Sequence, residues 1–476
     1  MHQDNNIREN INTIFLIVGL VILYSTTNSN LSVESFLIFT VTYVFLFFRD
    51  SICAFIFAYI YHLNITQSDF FSWAPVVSLI AMFLSLFNYK IPWGLLLKYK
   101  PLKSLLLVSI FFALYVLVFN LLNKGTNFMD AVRNIGYYAG FLAFIPAYFL
   151  TLYNRESLFK KFTIIAFSFL TIYFISLFLG LQWINVFSGE RGGDFEIKRY
   201  IYDARQFLVF YTYFIPAVFF INYQQKSTKT ALIMVGILAY SIIVFALFRL
   251  AMVYVILGAA TTFLLVARKI SSLSQIISRT SFIVFFGIII LSLLGSVFSE
   301  YIKIFQWSLD SFSSNSSDDS ANIRFLIQIP LMLEMFFENS FFGAGLQKLL
   351  DAAAEGMFGY VDVPILGTLT AFGIIGMLLY YSRFLFILSA GKSYNYVQDK
   401  SYILKNKPEY FFILALKAYF ITMITYRIFY ISWELTSYYM QAEFGLFVGV
   451  YFALNHILED QYCNNEHRLS RSDFQS

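Results

Sequence analysis

Charged residues are scarce in this chain, and their scarcity limits which solvent can surround it. Only 13% of its 476 residues are Asp, Glu, Lys or Arg, whereas an ordinary soluble domain has about 25%. Hydrophobic residues make up 59% of the chain, and its mean hydropathy is +0.68. A soluble protein of this length could not bury so much apolar surface. The composition therefore excludes an ordinary soluble protein and predicts a chain whose solvent is the lipid bilayer.

Cysteine and histidine are also rare, which excludes several kinds of site. Cys53 lies in a predicted span and Cys463 in the C-terminal tail, too far apart in the predicted topology to form a disulfide. The four histidines are His2, His62, His456 and His467. None of them lies in a predicted external loop, so no zinc site or histidine base is expected there. The sequence lacks the common phosphate-loop, dinucleotide, metalloprotease and redox motifs. No cofactor, metal or nucleic-acid partner is expected.

Long apolar runs dominate what is present. A transmembrane helix needs roughly 20 apolar residues. Fourteen stretches are candidates: 11–24, 32–48, 51–66, 73–88, 104–122, 135–152, 162–184, 205–222, 231–248, 250–266, 280–298, 364–389, 409–428 and 436–456. We predict an all-α, polytopic membrane bundle of about 12–14 helices. Its parts are N-terminal membrane helices over 1–298, one large external loop over 299–363, which the family resemblance given below makes periplasmic, C-terminal membrane helices over 364–456 and a cytoplasmic tail over 457–476.

The distribution of Lys and Arg orients this bundle, because cytoplasmic loops carry the excess of these residues. With both termini in the cytoplasm, the inner loops hold nearly twice as many Lys and Arg residues as the outer loops. One joint allows two interpretations, because residues 231–267 form an almost unbroken apolar run with Arg249 at its centre. A single long helix there would invert everything downstream. The basic residues of 267–279 and 391–408 favour two spans that meet at Arg249 near the outer surface.

The long external loop contains a predicted amphipathic helix over residues 322–339, with Pro330 kinking it or ending its first half. One side of this helix would carry the polar residues Arg324, Gln328, Glu334 and Glu338. Two interpretations are open. The helix either caps the bundle as a surface element, or lies along the outer interface with its polar side toward a cavity.

Four arginines fall at the predicted outer face: Arg205, Arg249, Arg324 and Arg427. Arg249 and Arg427 interrupt strongly apolar sequence, and a charge at bilayer depth costs about 2.5–3.5 kcal/mol on insertion scales. Each side chain could instead reach the headgroups from a helix end. Several arginines at one face favour a shared anionic ligand, because the planar guanidinium fork suits phosphate.

Two short segments give the chain a family resemblance. Arg324 precedes the run ENSFFGAGL (Glu338–Leu346), and the next span carries GIIG (Gly373–Gly376). This arrangement resembles the signature of the O-antigen ligase and polymerase superfamily, in which an arginine and a glycine-containing segment share a large periplasmic loop. Arg249 resembles the second arginine of that family, although it follows Phe248 where many members have Ser.

A further position departs from the family pattern. Asp362 stands where many members have a His, about eleven residues before the first glycine of GIIG. A carboxylate could take the proton of a sugar hydroxyl, which would make Asp362 the general base. The alternative is that Asp362 is the N-cap of the span that begins at Pro364.

The resemblance implies glycan transfer from an undecaprenyl-pyrophosphate donor at the periplasmic face of the inner membrane. Arg249 and Arg324 would bind the pyrophosphate, with Arg205 and Arg427 as further substrate-binding candidates. An O-antigen polymerase is favoured over a ligase that transfers glycan to lipid A core. A chain-length regulator and a flippase would be its protein partners. The alternative from another class is a lipid-linked oligosaccharide flippase, which the sparse charges within the spans and the single long loop disfavour.

Overall fold

The computed structural model describes residues 2–28, 32–64, 74–122, 139–179, 328–345, 364–390, 408–429 and 438–472, together with positions 236, 257–258 and 260–265. Every regular element within these residues is helical, which confirms the all-α prediction for this part of the chain. The α-helices are α1 His2–Asn28, α2 Ser32–Arg49, α3 Ser51–Asn64, α4 Ala74–Leu84, α5 Gly94–Lys98, α6 Lys100–Leu122, α7 Phe144–Leu179, α8 Ile329–Glu338, α9 Pro364–Ser389, α10 Pro408–Phe429 and α11 Tyr438–Ser472. A 3-10 turn over Gly140–Ala143 precedes α7.

Helix bounds agree best with the prediction where Pro or a polar cluster ends an apolar run. The span predicted over 364–389 is the helix Pro364–Ser389. Three helices extend well beyond their predicted spans: α1 begins at His2, nine residues before the predicted span 11–24, α7 runs through the loop predicted over 153–161, and α11 continues through the predicted tail to Ser472. Residues 153–161 contain no Gly or Pro, so their polarity does not end the helix. The helix only kinks there, at Asn154 (φ −151°, ψ 53°).

The chain forms two compact units, each described here by itself. The first comprises Met1–Phe263, Leu379–Thr425 and Trp433–Ser476, and the second comprises Leu264–Leu378 and Tyr426–Ser432. Helices α1–α7 and α11 belong to the first unit. Helix α8 and the first fifteen residues of α9 belong to the second.

Helix α3 is the centre of the first unit. Every side chain from Ser51 to His62 is buried, as expected of a helix that is apolar on all sides. Phe39 of α2 stacks on Phe57 and Tyr61 of α3, with ring centroids 5.7 and 4.0 Å apart. Aromatic stacking between these helices therefore supplies much of the local packing.

Helix α11 packs against the start of α7 at backbone distance. A methyl group on Gly445 or Gly449 would overlap the carbonyl oxygen of Phe141 or Phe144, respectively. The glycines are four residues apart and lie on one face of α11, the small-xxx-small spacing by which helices in membranes approach closely. These two positions therefore set how near α11 lies to Phe141–Phe144.

Polar contacts in the first unit join segments that the predicted topology places on one side. Lys161 Nζ lies 2.5 Å from Asp50 Oδ2, and Lys160 Nζ lies 3.7 Å from Glu9 Oε2. The other oxygen of Asp50 accepts hydrogen bonds from the Ile52 and Cys53 amides and so caps α3. Segments predicted to share the cytoplasmic side thus contact one another.

Two of the described helices are long and apolar enough to cross a membrane. They are Lys100–Phe119, with a mean hydropathy of 2.4, and Ile365–Ser389, with a mean hydropathy of 1.8. This finding suggests association with a membrane. The count of about 12–14 spans and the cytoplasmic placement of the termini remain predictions.

Candidate functional site

The amphipathic helix of the predicted external loop is present in its second half. Helix α8 covers Ile329–Glu338 and has Pro330 in its first turn, where the missing N–H of proline has no intrahelical partner to lose. Residues 322–327 lie outside the described part of the chain. The predicted polar side is only partly formed, because Glu334 and Glu338 are exposed whereas Gln328 is buried, with 5% of its surface accessible.

Helix α9 is broken at Gly373, inside the GIIG segment. Gly373 has φ +63° and ψ −172°, a backbone conformation essentially restricted to glycine. A break of this kind removes the helical hydrogen bonds that would cross it. It leaves carbonyl groups on one side and amide groups on the other without helical partners.

The loop that follows α8 fills this break. Four backbone hydrogen bonds join the two segments. In one direction, the amide of Ala344 donates to the carbonyl of Thr370 at 2.7 Å, and the amide of Gly345 donates to that of Ala371 at 3.0 Å. In the other direction, the amide of Ile374 donates to the carbonyl of Ser340 at 3.0 Å, and the amide of Ile375 donates to that of Phe341 at 3.3 Å. We call residues 339–345 and 370–375 the junction. It satisfies backbone groups that would be costly to bury without partners.

Two glycines make the close approach within the junction. Gly343 has φ +82°, and a methyl group on it would lie 2.5 Å from backbone atoms of Ala371 and Gly373. A methyl group on Gly373 would overlap the carbonyl oxygen of Phe341. The FGAG and GIIG segments therefore meet glycine to glycine, and neither position has room for a side chain.

A side-chain hydrogen bond joins α8 to the same part of α9. Thr370 is buried, and its hydroxyl oxygen lies 2.8 Å from the carbonyl of Leu366 and 3.1 Å from the carbonyl of Met332. Met332 has no exposed surface. The orientation of α8 is thus fixed by a buried side chain on one face and by the junction after its last residue.

The junction positions neighbouring groups and supplies no proton donor or acceptor of its own. Residues 339–345 and 370–375 contain no titratable side chain. Large apolar side chains project beside them, since Phe337, Phe341 and Phe342 have 71%, 68% and 56% of their surface exposed. Acid or base chemistry at this place must come from residues outside the junction.

The predicted site residues fall mostly outside the described part of the chain. Arg205, Arg249, Arg324 and Asp362 all lie there. Arg427 lies in α10, two residues before its last residue Phe429, and its side chain is also outside the description. The shared anion site of these arginines stays a prediction, as do the two alternative roles of Asp362, general base and helix cap. Within the described residues, no cluster of three or more His, Cys, Asp and Glu side chains could hold a metal ion.

One buried cation in the first unit was not anticipated as part of any site. Arg383 has 1% of its surface exposed, and its guanidinium carbon lies 4.1 Å from the ring centroid of Tyr380 and 4.8 Å from that of Phe141. Its Nε donates to the carbonyl of Tyr380 at 3.1 Å. Cation–π contacts of this kind are strongest when the cation is removed from water. The sequence signal was a lone arginine in a predicted span.

Comparison with known proteins gives no assignment. No protein-family model matches the chain, and no curated protein matches its sequence. The resemblance to the O-antigen ligase and polymerase superfamily therefore rests on the residues quoted above and enters the argument as a proposal.

Proposed function

We propose that the chain is a polytopic protein of the bacterial inner membrane that polymerises lipid-linked oligosaccharide repeat units at the periplasmic face, as an O-antigen polymerase does. The observation that carries this proposal is the junction. The two segments on which the family resemblance depends, NSFFGAG and GIIG, are separated in sequence and are paired in space through four backbone hydrogen bonds.

The junction supports the proposal because it gives both segments a physical reason to contain glycine. Residues that only filled a surface loop would not need two glycines in contact at positive φ. Helix α8 is held on α9 by Thr370 and by the junction. Arg324 precedes this anchored helix by only five residues in the sequence. Such anchoring suits a reaction in which positioning and charge stabilisation dominate.

In the proposed reaction, a hydroxyl oxygen of the acceptor attacks the anomeric carbon of the lipid-linked donor. A new glycosidic bond forms while the bond from that carbon to the pyrophosphate oxygen breaks. The lipid pyrophosphate leaves as an anion, and we assign Arg249 and Arg324 to bind it, with Arg205 and Arg427 supporting them. Asp362 is the candidate acceptor for the hydroxyl proton.

Substitution of the two principal arginines tests the proposal. We expect Arg249→Ala and Arg324→Ala to abolish chain extension, seen as loss of the polymer ladder on a gel, with the membrane level of the protein unchanged. Arg268→Ala is the matched control, because it removes an arginine of a predicted cytoplasmic loop, on the other side of the membrane from the proposed reaction. Normal ladders from both principal variants would exclude the arginine assignment.

The products that accumulate on deletion separate the alternatives. Loss of a polymerase leaves single repeat units on the carrier or on lipopolysaccharide, whereas loss of a ligase leaves polymer on the carrier and bare core. Loss of a flippase traps single units on the cytoplasmic side. One observation favours the flippase as a second candidate, because helices broken within the membrane often form substrate sites in transporters, and α9 is broken at Gly373.

A further inference from the structure

The exposed face of α6 starts with lysines and continues as an apolar stripe. Lys100 and Lys103 are exposed in its first turn. The exposed large apolar residues that follow are Leu107, Ile110, Phe111, Leu114, Val118 and Leu121. Their spacing of three or four residues places them on one side of the helix with the lysines. Only 22% of the most apolar window of this helix is buried inside the protein.

The length of the stripe locates the lysines relative to a bilayer. From Lys103 to Leu121 the helix rises about 27 Å at 1.5 Å per residue, close to the thickness of about 30 Å of a hydrocarbon core. If the stripe contacts acyl chains, Lys100 and Lys103 lie at the level of the lipid phosphates.

The segment directly before α6 is also exposed and also combines lysines with apolar side chains. Lys90 and Lys98 are exposed, and Trp93 and Leu97 have 52% and 59% of their surface exposed. Tryptophan with one part buried and one part exposed is typical of membrane interfaces. Here the Trp93 ring packs edge-on against Phe149, with centroids 5.5 Å apart.

Buried side chains fix the position of this segment. Leu96 and Leu102 are buried, and Tyr99 stacks on His456 of α11 with ring centroids 4.9 Å apart and an interplanar angle of 4°. Burial, with a smaller effect from the Glu459 carboxylate, raises the pKa of Tyr99. The phenol therefore stays neutral and adds no negative charge to this segment.

Negative charge is absent from the surrounding sequence. No Asp or Glu occurs between Asp69 and Asp130. Among the described residues, no carboxylate lies within 4.0 Å of Lys90, Lys98, Lys100 or Lys103, whereas Lys160 and Lys161 each have a carboxylate partner. Among the described residues, these ammonium groups therefore have no carboxylate counter-ion, and exposed apolar side chains are their neighbours in the sequence.

We infer that Lys98, Lys100 and Lys103, together with Trp93 and Leu97, form a binding site for the headgroup phosphate of an anionic phospholipid. The ammonium groups contact the phosphate, while Trp93 and the stripe of α6 contact the glycerol and acyl region. The inference rests on the membrane placement in the proposed function and not on the proposed reaction. By the Lys and Arg distribution, this site faces the cytoplasmic leaflet.

Tryptophan quenching in nanodiscs tests the site with the full-length protein. Trp73, Trp183, Trp307 and Trp433 are changed to Phe so that Trp93 is the sole tryptophan, which is excited selectively over tyrosine. The protein is reconstituted with brominated phosphatidylglycerol or with brominated phosphatidylcholine at the same mole fraction. We expect stronger quenching by phosphatidylglycerol. A lysine near an anionic surface contributes roughly fivefold to binding, so the triple variant K98Q/K100Q/K103Q should remove the excess.

Matched variants separate local binding from general charge effects. K98R/K100R/K103R keeps the charge and should keep the excess quenching. K400Q/K405Q/K407Q removes the same number of charges from another predicted cytoplasmic loop, and the excess quenching should remain in this variant. Equal quenching by the two lipids in the unmodified lysine background overturns the inference, as does excess quenching that survives K98Q/K100Q/K103Q.

Two further outcomes would also overturn it. Inorganic phosphate, compared with chloride at equal ionic strength, distinguishes a headgroup from a free anion. If the excess quenching by phosphatidylglycerol disappears in phosphate but not in chloride, the site binds soluble phosphate and not a lipid headgroup. Failure of the protein to insert into nanodiscs would remove the membrane placement itself, whereas insertion without excess quenching would leave the proposed enzyme untouched and refute only the lipid site.

Discussion

Replacing Gly373 with alanine should open the junction. The conformation of Gly373 (φ +63°, ψ −172°) costs a residue with a side chain about 1–3 kcal/mol. The new methyl group would also overlap the carbonyl oxygen of Phe341, a backbone atom that cannot move alone. Undocking relieves both problems but gives up four backbone hydrogen bonds, each worth about 1 kcal/mol net. We therefore expect a cost of about 3 kcal/mol, a shift of roughly 100-fold toward the open junction.

Amide hydrogen exchange by mass spectrometry measures this shift directly. Peptides that cover 339–345 and 370–375 should exchange roughly 100-fold faster in Gly373→Ala, while peptides from α3 should not change. Gly94→Ala is the matched control, because a methyl group there meets nothing within 4 Å. Unchanged exchange of the Ala344 and Ile374 peptides in Gly373→Ala would refute the assignment of these hydrogen bonds.

Two other changes test packing in the first unit by thermal unfolding in detergent. Gly449→Ala should destabilise the protein by about 2 kcal/mol, because the added methyl group overpacks this helix contact. It would force α11 away from Phe144 and would lie 2.8 Å from the Ala147 side chain. An unchanged midpoint of thermal unfolding would contradict the close approach of the two helices. Lys161→Met should cost about 3 kcal/mol, since it leaves the Asp50 carboxylate without its buried cation. The neighbouring Lys160→Met, whose lysine side chain is 54% exposed, should cost about 1 kcal/mol or less. Equal effects of the two lysine changes would show that burial does not distinguish them.

Hydropathy predicted most helix positions because apolar runs and helices coincide where a proline or a polar cluster ends the run. The bounds of α9 and the start of α2 at Ser32 are of this kind. Polarity was a poor guide where good helix formers continue past the apolar layer. Helix α7 through Lys160 and α11 through Ser472 show that leaving an apolar environment does not end a helix.

The sequence indicated the segments of the candidate site but not how they are joined. A glycine pattern within a predicted span is compatible with a straight helix, with close helix packing or with a break. Only the pairing of Ser340 and Phe341 with Ile374 and Ile375 distinguishes these cases, and such pairing depends on residues more than thirty positions apart. The burial of Gln328 was missed for a similar reason. Helical periodicity assigns a side to each residue but does not identify what packs against that side.

The junction has a consequence for how proteins of this kind diverge. Its hydrogen bonds use only main-chain atoms, and glycine is required by the close approach at Gly343 and Gly373 and by a φ of +91° at Gly345. Most other positions in 339–345 and 370–375 can change without altering this geometry. A distant relative can therefore retain the junction while sharing almost none of its sequence. Homologues are better detected by a structural feature, a broken helix paired with a glycine loop, than by sequence identity.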